Sequence, residues 1–267
     1  MSNESPIELE APWDIYLFAH PDDDIFARPL LCAEPGIRKA IVFFTNGASR
    51  GSATSEVRRA EAARALAGVP RARIFWLGIE LGIGSETLAA RLEDADLALR
   101  ALASGLDGRV RRVATHAWEA GHPDHDAAHL LGFALASRLG VLDVSVALSF
   151  YRAARTTLWP FVVMRPLAEN GAPRARHLSV SEALSLLSAT RHYPSQLKTW
   201  VGLMPGLLFQ VLWRRTLDLQ PLSASAAPHR PSTPTLLSES RYGIDFTAFA
   251  ADAARFLAQT KRAGADS

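Results

Sequence analysis

Cysteine is almost missing from this sequence: Cys32 stands alone among 267 residues. An intrachain disulfide is excluded, and a single thiol is expected as a small buried hydrophobe rather than a nucleophile. Charge of one sign is missing too. The formal net charge is only +2, which gives no global reason to expect nucleic acid as a partner. Met1 to Pro12 is acidic and polar, without the apolar core of a signal peptide, and points to a cytoplasmic location. Long hydrophobic runs are scarce. The most apolar, Trp200 to Trp213, is interrupted by Pro205 and Gly206, and is too short and broken for a transmembrane segment. Neither a Gly-x-Gly-x-x-Gly nor a phosphate-binding Gly-Lys motif occurs, so nucleotide binding lacks its fingerprint.

What is present is an alternation of strand and helix patterns. Trp13 to Phe18, Lys39 to Thr45, Arg73 to Leu77, Arg111 to His116 and Asp143 to Phe150 read as strands, short runs rich in β-branched and aromatic residues. Ser52 to Gly68, Thr87 to Leu102 and the segment after His125 read as helices. In the first of these, Val57, Ala60, Ala63, Leu66 and Ala67 form the expected apolar side. The order predicts an α/β fold, a Rossmann-like three-layer sandwich with a mostly parallel sheet, followed by a C-terminal α+β extension. A chain of this length can form one domain, with residues 1–150 as the core and 151–267 as the extension shaping the pocket.

The chemistry gathers where two of these strands end. Ala19-His20-Pro21-Asp22-Asp23-Asp24 follows the first strand, and Pro21 stops the ladder because it has no N–H to donate. Three adjacent carboxylates repel one another, and desolvation adds to that cost unless a cation or strong donors compensate. An acidic turn in solvent is the plain alternative. Far along the chain, Thr115-His116-Ala117-Trp118-Glu119-Ala120-Gly121-His122-Pro123-Asp124-His125 repeats the arrangement behind another strand. Ala127, Ala128, Leu130, Leu131, Ala134 and Leu135 then set a helical period, so His125 should lie in a first helical turn. Strand ends of one sheet can bring both segments together. His20, Asp23 and His125 would make a two-His, one-carboxylate metal site with positions left for water.

The paired segments His20-Pro21-Asp22-Asp23 and His122-Pro123-Asp124-His125 resemble those of the PIG-L/LmbE family of zinc-dependent N-deacetylases, over roughly the first two-thirds of the chain. Either segment alone would be a weak signal. The resemblance implies zinc as the cofactor, with Fe2+ as the other candidate, held by His20, Asp23 and His125. Asp22 is then the general base, and His122, held by Asp124, stabilises the oxyanion or protonates the leaving amine. By the same resemblance Arg58 of Arg58-x-x-Glu61 contacts sugar hydroxyls, and Glu80 stands where many relatives carry a hydroxyl-holding aspartate. The implied substrate is a small amino sugar, an N-acetylglucosamine-containing glycoside or glycoconjugate, with an apolar aglycone suggested by the Trp200 to Trp213 stretch. Two departures bear on the substrate: Asp24 replaces a frequent glutamate, and Ala120 stands where some relatives place tyrosine.

The last third is less patterned. Pro160 to Leu167 and Arg176 to Val180 read as strands, Ser181 to Gln196 as a helix capped near Ser179 or Ser181, and Phe246 to Leu257 as an amphipathic helix. Tyr193-Pro194-Ser195-Gln196 is similar to a segment common in the family and reads as structural. Leu222 to Ser238 is expected as a surface loop in which His229 is solvated, and Lys261 to Ser267 as a frayed end. Three functional readings compete: an N-deacetylase, an amidase of the same fold removing another acyl group, and a binding protein without catalysis. Asp22, His122 and Asp124 speak against the last, since binding alone needs none of them.

Overall fold

The computed structural model describes residues 11–48, 54–154, 160–222, 229–233 and 235–265, with side chains through 260. Most of the expected polar N-terminus, the start of the Ser52 helix, parts of the 222–238 loop and the end at 266–267 lie outside the described residues.

The sheet is organised around β1 (Trp13–Phe18), which is buried along its whole length. Alternate side chains of a strand point to opposite faces, and both faces of β1 meet apolar partners. Ile15 and Leu17 join one core with Ala40, Val42 and Leu131. Tyr16 and Phe18 join a second with Ile41, Phe43, Phe150 and Trp200. Such a strand reads as a continuous apolar run because helices cover the sheet on both sides.

Parallel to β1 lie β2 (Arg38–Phe43) on one side and β4 (Val110–His116) on the other, with β3 (Ala72–Phe75) beyond β2 and β5 (Val146–Leu148) beyond β4. A two-stranded ribbon, β6 (Tyr151–Ala153) and β7 (Phe161–Val163), stands apart. The seven-stranded order is β3-β2-β1-β4-β5-β9-β8, where β8 (Arg174–His177) and β9 (Thr216–Pro221) are antiparallel additions. The chain winds outward in one direction from β1 and in the other from β4. Ligands in open α/β sheets bind at such a reversal, outside the carboxyl ends of the strands. Both His-Pro-Asp segments leave the sheet there.

The helices fall on the two faces as their buried residues dictate. Helices α1 (Asp24–Leu31) and α2 (Ser55–Leu66) supply Ile25, Ala62 and Leu66 to the core under Tyr16. Helices α3 (Leu92–Ser104) and α4 (Pro123–Arg138) supply Leu99 and Leu131 to the other. Helix α4 is buried nearly all round, as a helix clamped between sheet and neighbours should be. The last third adds α5 (Val180–Ala189), α6 (Leu197–Leu208) and α7 (Phe246–Ala265).

Several expectations change. The buried side of α2 is Arg58, Glu61, Ala62, Ala65 and Leu66. Of the expected apolar set only Leu66 is buried, because Arg58 and Glu61 have ionic and polar partners in the interior. Cys32 is exposed, since it caps α1 where the chain leaves the core. Strand β5 is shorter than Asp143 to Phe150, as Leu142–Val144 forms a 3₁₀ turn. The Ser181 to Gln196 helix ends at Ala189, and its N-terminus is a capping box between Ser179 and Glu182. Strand β9 was not anticipated, although Thr216-Leu217-Asp218-Leu219-Gln220 alternates; the apolar run before it obscured the change of period.

Candidate active site

The end of β1 turns sharply at Asp22, whose φ is 145°. Such a conformation costs a non-glycine residue on the order of 1–3 kcal/mol, and strain of this kind concentrates at functional sites. The turn sends three neighbouring carboxylates to three different surroundings. Asp22 Oδ1 accepts a hydrogen bond from Arg58 Nη2 at 2.8 Å. Burial raises its pKa, with Arg58 opposing. Asp23 accepts the His20 backbone N–H at 2.7 Å. Burial also works against its charge, but His125 and His116 beside it hold its pKa well below the usual range. Asp24 receives the Tyr193 hydroxyl and is pushed up to about 7, mainly by burial.

The second segment comes from the end of β4 and the start of α4. Its Pro123 occupies the first helical turn, where a missing N–H costs nothing. His122 is the N-cap: its Nδ1 accepts the Asp124 N–H at 3.1 Å, so the neutral ring carries its proton on Nε2. Burial and the neighbouring His20 and His125 keep His122 uncharged, with its pKa well below normal. The Asp124 carboxylate turns away from His122 and accepts from Glu86 N–H at 2.6 Å and Leu88 N–H at 3.0 Å. It also meets His20 Nε2 at 3.0 Å. The Asp124 carboxylate therefore orients His20 rather than His122, which Asp124 holds only through its backbone N–H. Burial lowers the His20 pKa, but the hydrogen bonds to Asp124 and Asp23 outweigh it and raise it to about 10.

The donor set fits a divalent cation. Asp23 Oδ1 lies 3.4 Å from His125 Nε2, and Asp23 Oδ2 lies 3.4 Å from His20 Nδ1. These gaps are long for charge-assisted hydrogen bonds. Each is near the spacing of about 3.4 Å between two atoms sharing a tetrahedral ion at about 2.1 Å, but the two gaps use opposite oxygens of Asp23. Two compact groups bring one ligand atom each within 4.8 Å of one another: His20 with His122 and His125, and Asp23 with His116 and His125. The three expected ligands are spread over these groups, with His125 in both. With Asp124 on His20 Nε2, His20 Nδ1 faces Asp23; an ion held there would displace the Nδ1 proton, with the outer carboxylate fixing the ring. His116, not weighted in the sequence, is fully buried at the end of β4 and stacks on His125 with ring centroids 4.2 Å apart. Its Nε2 accepts the Ala19 N–H at 3.0 Å, and burial lowers its pKa to about 3.

These groups open into a cavity of about 410 Å³. Asp22, Arg58, His122 and His125 line it together with Tyr151, Trp200 and Tyr242.

Residues 15–136 match the family model described as PIG-L: GlcNAc-PI de-N-acetylase. No curated protein matches the chain significantly. Among solved structures, the chain is similar in fold to the A40926 pseudoaglycone deacetylase Dbv21, with TM-score 0.57 and 15% identity over 78% of this chain and 96% of that one. A deacetylase of teicoplanin biosynthesis gives TM-score 0.55 and 15% identity over 78% and 95%. The N,N'-diacetylchitobiose deacetylase of Pyrococcus horikoshii gives TM-score 0.52 and 17% identity over 79% and 85%.

The fold brings together His20, Asp22, Asp23, Arg58, His122 and His125. Asp124 lies behind His20. Glu80 is not brought in: it is exposed at the end of the short helix Leu77–Glu80, and Ser85 and Glu86 line the cavity instead. Arg58 is placed first by Asp22 rather than by open solvent. Glu61, its helix neighbour, accepts Ser195 N–H at 2.9 Å and Ser195 Oγ at 2.5 Å, so the Tyr193 to Gln196 segment is tied to the domain through Glu61 and Asp24. Missed in the sequence were Glu119, Tyr151 and Tyr242. Glu119 takes the Ser149 hydroxyl at 2.6 Å and Phe150 N–H at 2.8 Å, holding the chain that carries Tyr151. Its place inside the second segment was the available signal.

Gly121 couples this loop to β6, for a Cβ there would fall 2.3 Å from the Tyr151 carbonyl oxygen. The backbone cannot yield cheaply. Gly121→Ala is expected to destabilise the fold by about 1–3 kcal/mol and to lower activity by shifting His122 against Tyr151. Urea unfolding and steady-state rates on the same preparation check this; an unchanged midpoint would show that β6 gives way freely.

Proposed function

We propose that the protein is a metal-dependent hydrolase that removes an N-acetyl group from an amino sugar, an N-acetylglucosamine-containing glycoside or glycoconjugate. The observation that carries this reading is the cluster around Asp23 opening onto the cavity beside Asp22 and His122. The PIG-L match supports the reaction class. The named neighbours are a deacetylase of teicoplanin biosynthesis, the A40926 pseudoaglycone deacetylase and an N,N'-diacetylchitobiose deacetylase, and this chain is read by analogy with them.

His20, Asp23 and His125 are assigned as the ligands of one divalent ion, zinc or ferrous iron. When bound, such an ion polarises an acyl carbonyl and a water. Asp22 takes a proton from that water, aided by a pKa that burial raises. The water oxygen joins the acyl carbon, and the bond to nitrogen breaks. His122, protonated on Nε2 and uncharged, donates a hydrogen bond to the carbonyl oxygen as charge develops there. The leaving nitrogen takes up the proton and departs as the free amine, with acetate as the other product.

Phe26, Phe161, Trp200 and Leu203 also line the cavity. This apolar side supports either a hydrophobic aglycone or, in the second reading, an amidase acting on a longer acyl chain. An amine-release assay separates them: N-acetylglucosamine, hydrophobic N-acetylglucosaminides, N-acyl glucosamines of longer chain and simple amides, with metal content measured on the same sample. Fastest release from N-acetylglucosaminides is expected. Faster release from a longer acyl chain or a simple amide would move the protein to the amidase reading.

Arg58 has two roles open to it, and kinetics distinguish them. As the partner of Asp22 it acts on the base, so Arg58→Ala should lower kcat by about tenfold or more, within the range for general-base contributions. A rise in KM with unchanged kcat would return it to the substrate-binding role implied by the resemblance.

A further inference from the structure

Helix α6 carries two apolar stripes, and only one is covered. Trp200, Leu203 and Leu207 recur at helical spacing and are buried in the core that holds Phe26, Phe150 and Val163. On another side of the same helix Leu197 and Val201 are 65% and 66% exposed, and Leu208 and Leu212 continue the line into the π-helical turn Phe209–Arg214. Trp213 ends it at 80% exposure. Soluble surfaces tolerate scattered apolar side chains, but a contiguous stripe of large ones marks a docking face.

The charges carried by this stretch of chain are basic, and Arg214 is paired with Asp218 at 3.5 Å at its end. No Asp or Glu stands between Glu182 and Asp218, while Arg191, Lys198, Arg214 and Arg215 do. All four of these basic residues are exposed. No helix among the described residues is long and apolar enough to cross a membrane. An apolar face with an aromatic tip, flanked by Arg191, Lys198 and Arg215, fits a helix lying in the plane of an interface. A second copy of the same face would set Lys198 and the arginines against themselves across a two-fold axis.

We propose that the α6 face docks on the surface of an anionic lipid bilayer, with Trp213 and the leucines seated at the headgroup level. Lys198, Thr199 and Gly202 of the same helix line the catalytic cavity, so docking would set the cavity beside the interface. The proposal does not rest on the reaction assigned above, and its test uses no catalytic readout.

The test is flotation of the full chain with vesicles of phosphatidylcholine alone or with about one-third phosphatidylserine, at low and high salt. Binding to the anionic vesicles is expected, weakened by salt as surface attraction requires. Arg191→Glu with Lys198→Glu should weaken it by about fivefold or more per charge. Trp213→Ser should weaken it by about tenfold or more through lost apolar burial. Both variants alter exposed positions, and their melting temperatures establish that they fold. Failure of the folded wild type to float with anionic vesicles overturns the proposal. So does a concentration-dependent dimer in sedimentation velocity that Trp213→Ser dissolves, since the stripe would then be a contact between copies. Floating that neither variant changes would place the membrane contact elsewhere and overturn it equally.

Discussion

Asp22→Asn is expected to retain its metal and lose about 10²-fold or more of kcat, the loss typical of removing a general base. The amide keeps the shape of the side chain and the acceptor for Arg58 Nη2, so the hydrogen bond of 2.8 Å survives. What disappears is the ability to take a proton. Metal content and kcat measured together give the answer. A variant that loses its metal as well would make Asp22 a ligand and exchange its role with that of Asp23. A variant that keeps its rate would leave the reaction without this base.

His125→Ala should remove the metal and the activity together, because His125 belongs to both compact donor groups and a three-ligand site rarely survives the loss of one. Asp124→Asn makes a sharper comparison. Its carboxylate touches His20 Nε2 at 3.0 Å, behind the proposed ligand atom, and outer-shell losses of this kind cost about 10–100-fold in metal affinity. His116→Ala separates two arrangements. With its Nε2 engaged by the Ala19 N–H, His116 is expected to support His125 by stacking rather than to bind the ion, and its removal should leave most of the metal in place. Competitive chelation on the three purified variants checks the order. Metal loss in His116→Ala equal to that in His125→Ala would assign the ion to Asp23, His116 and His125.

The sequence alone carried the central architecture and most of the reactive groups. Runs such as Trp13 to Phe18 and the spacing of Ala127, Leu131 and Leu135 specify buried strand and buried helix, because period and apolarity are local properties. His-Pro-Asp placed behind two such strands located the chemistry, since a parallel sheet aligns its strand ends. Arg58 and Glu61 were visible as residues but not as buried ones. A charged face reads as solvated until its partners are known, and Asp22 and Ser195 come from distant parts of the chain.

What only the tertiary structure decided was which atom faces which. Sequence spacing cannot show that the Asp124 carboxylate reaches back to His20 while its N–H donates to the capping His122, because one residue serves two neighbours from two different groups. The same limit applies to His116 and to Tyr151 and Tyr242, which meet the cavity through pairings that no local pattern encodes. Glu80 shows the converse: it stands at the right place in the sequence, yet the short helix Leu77–Glu80 turns it to solvent. Local composition determined the elements and the residue types at their ends. Hydrogen-bond direction, burial and the choice among equivalent donors were set by contacts between segments far apart in the chain, and those exist only once it has folded.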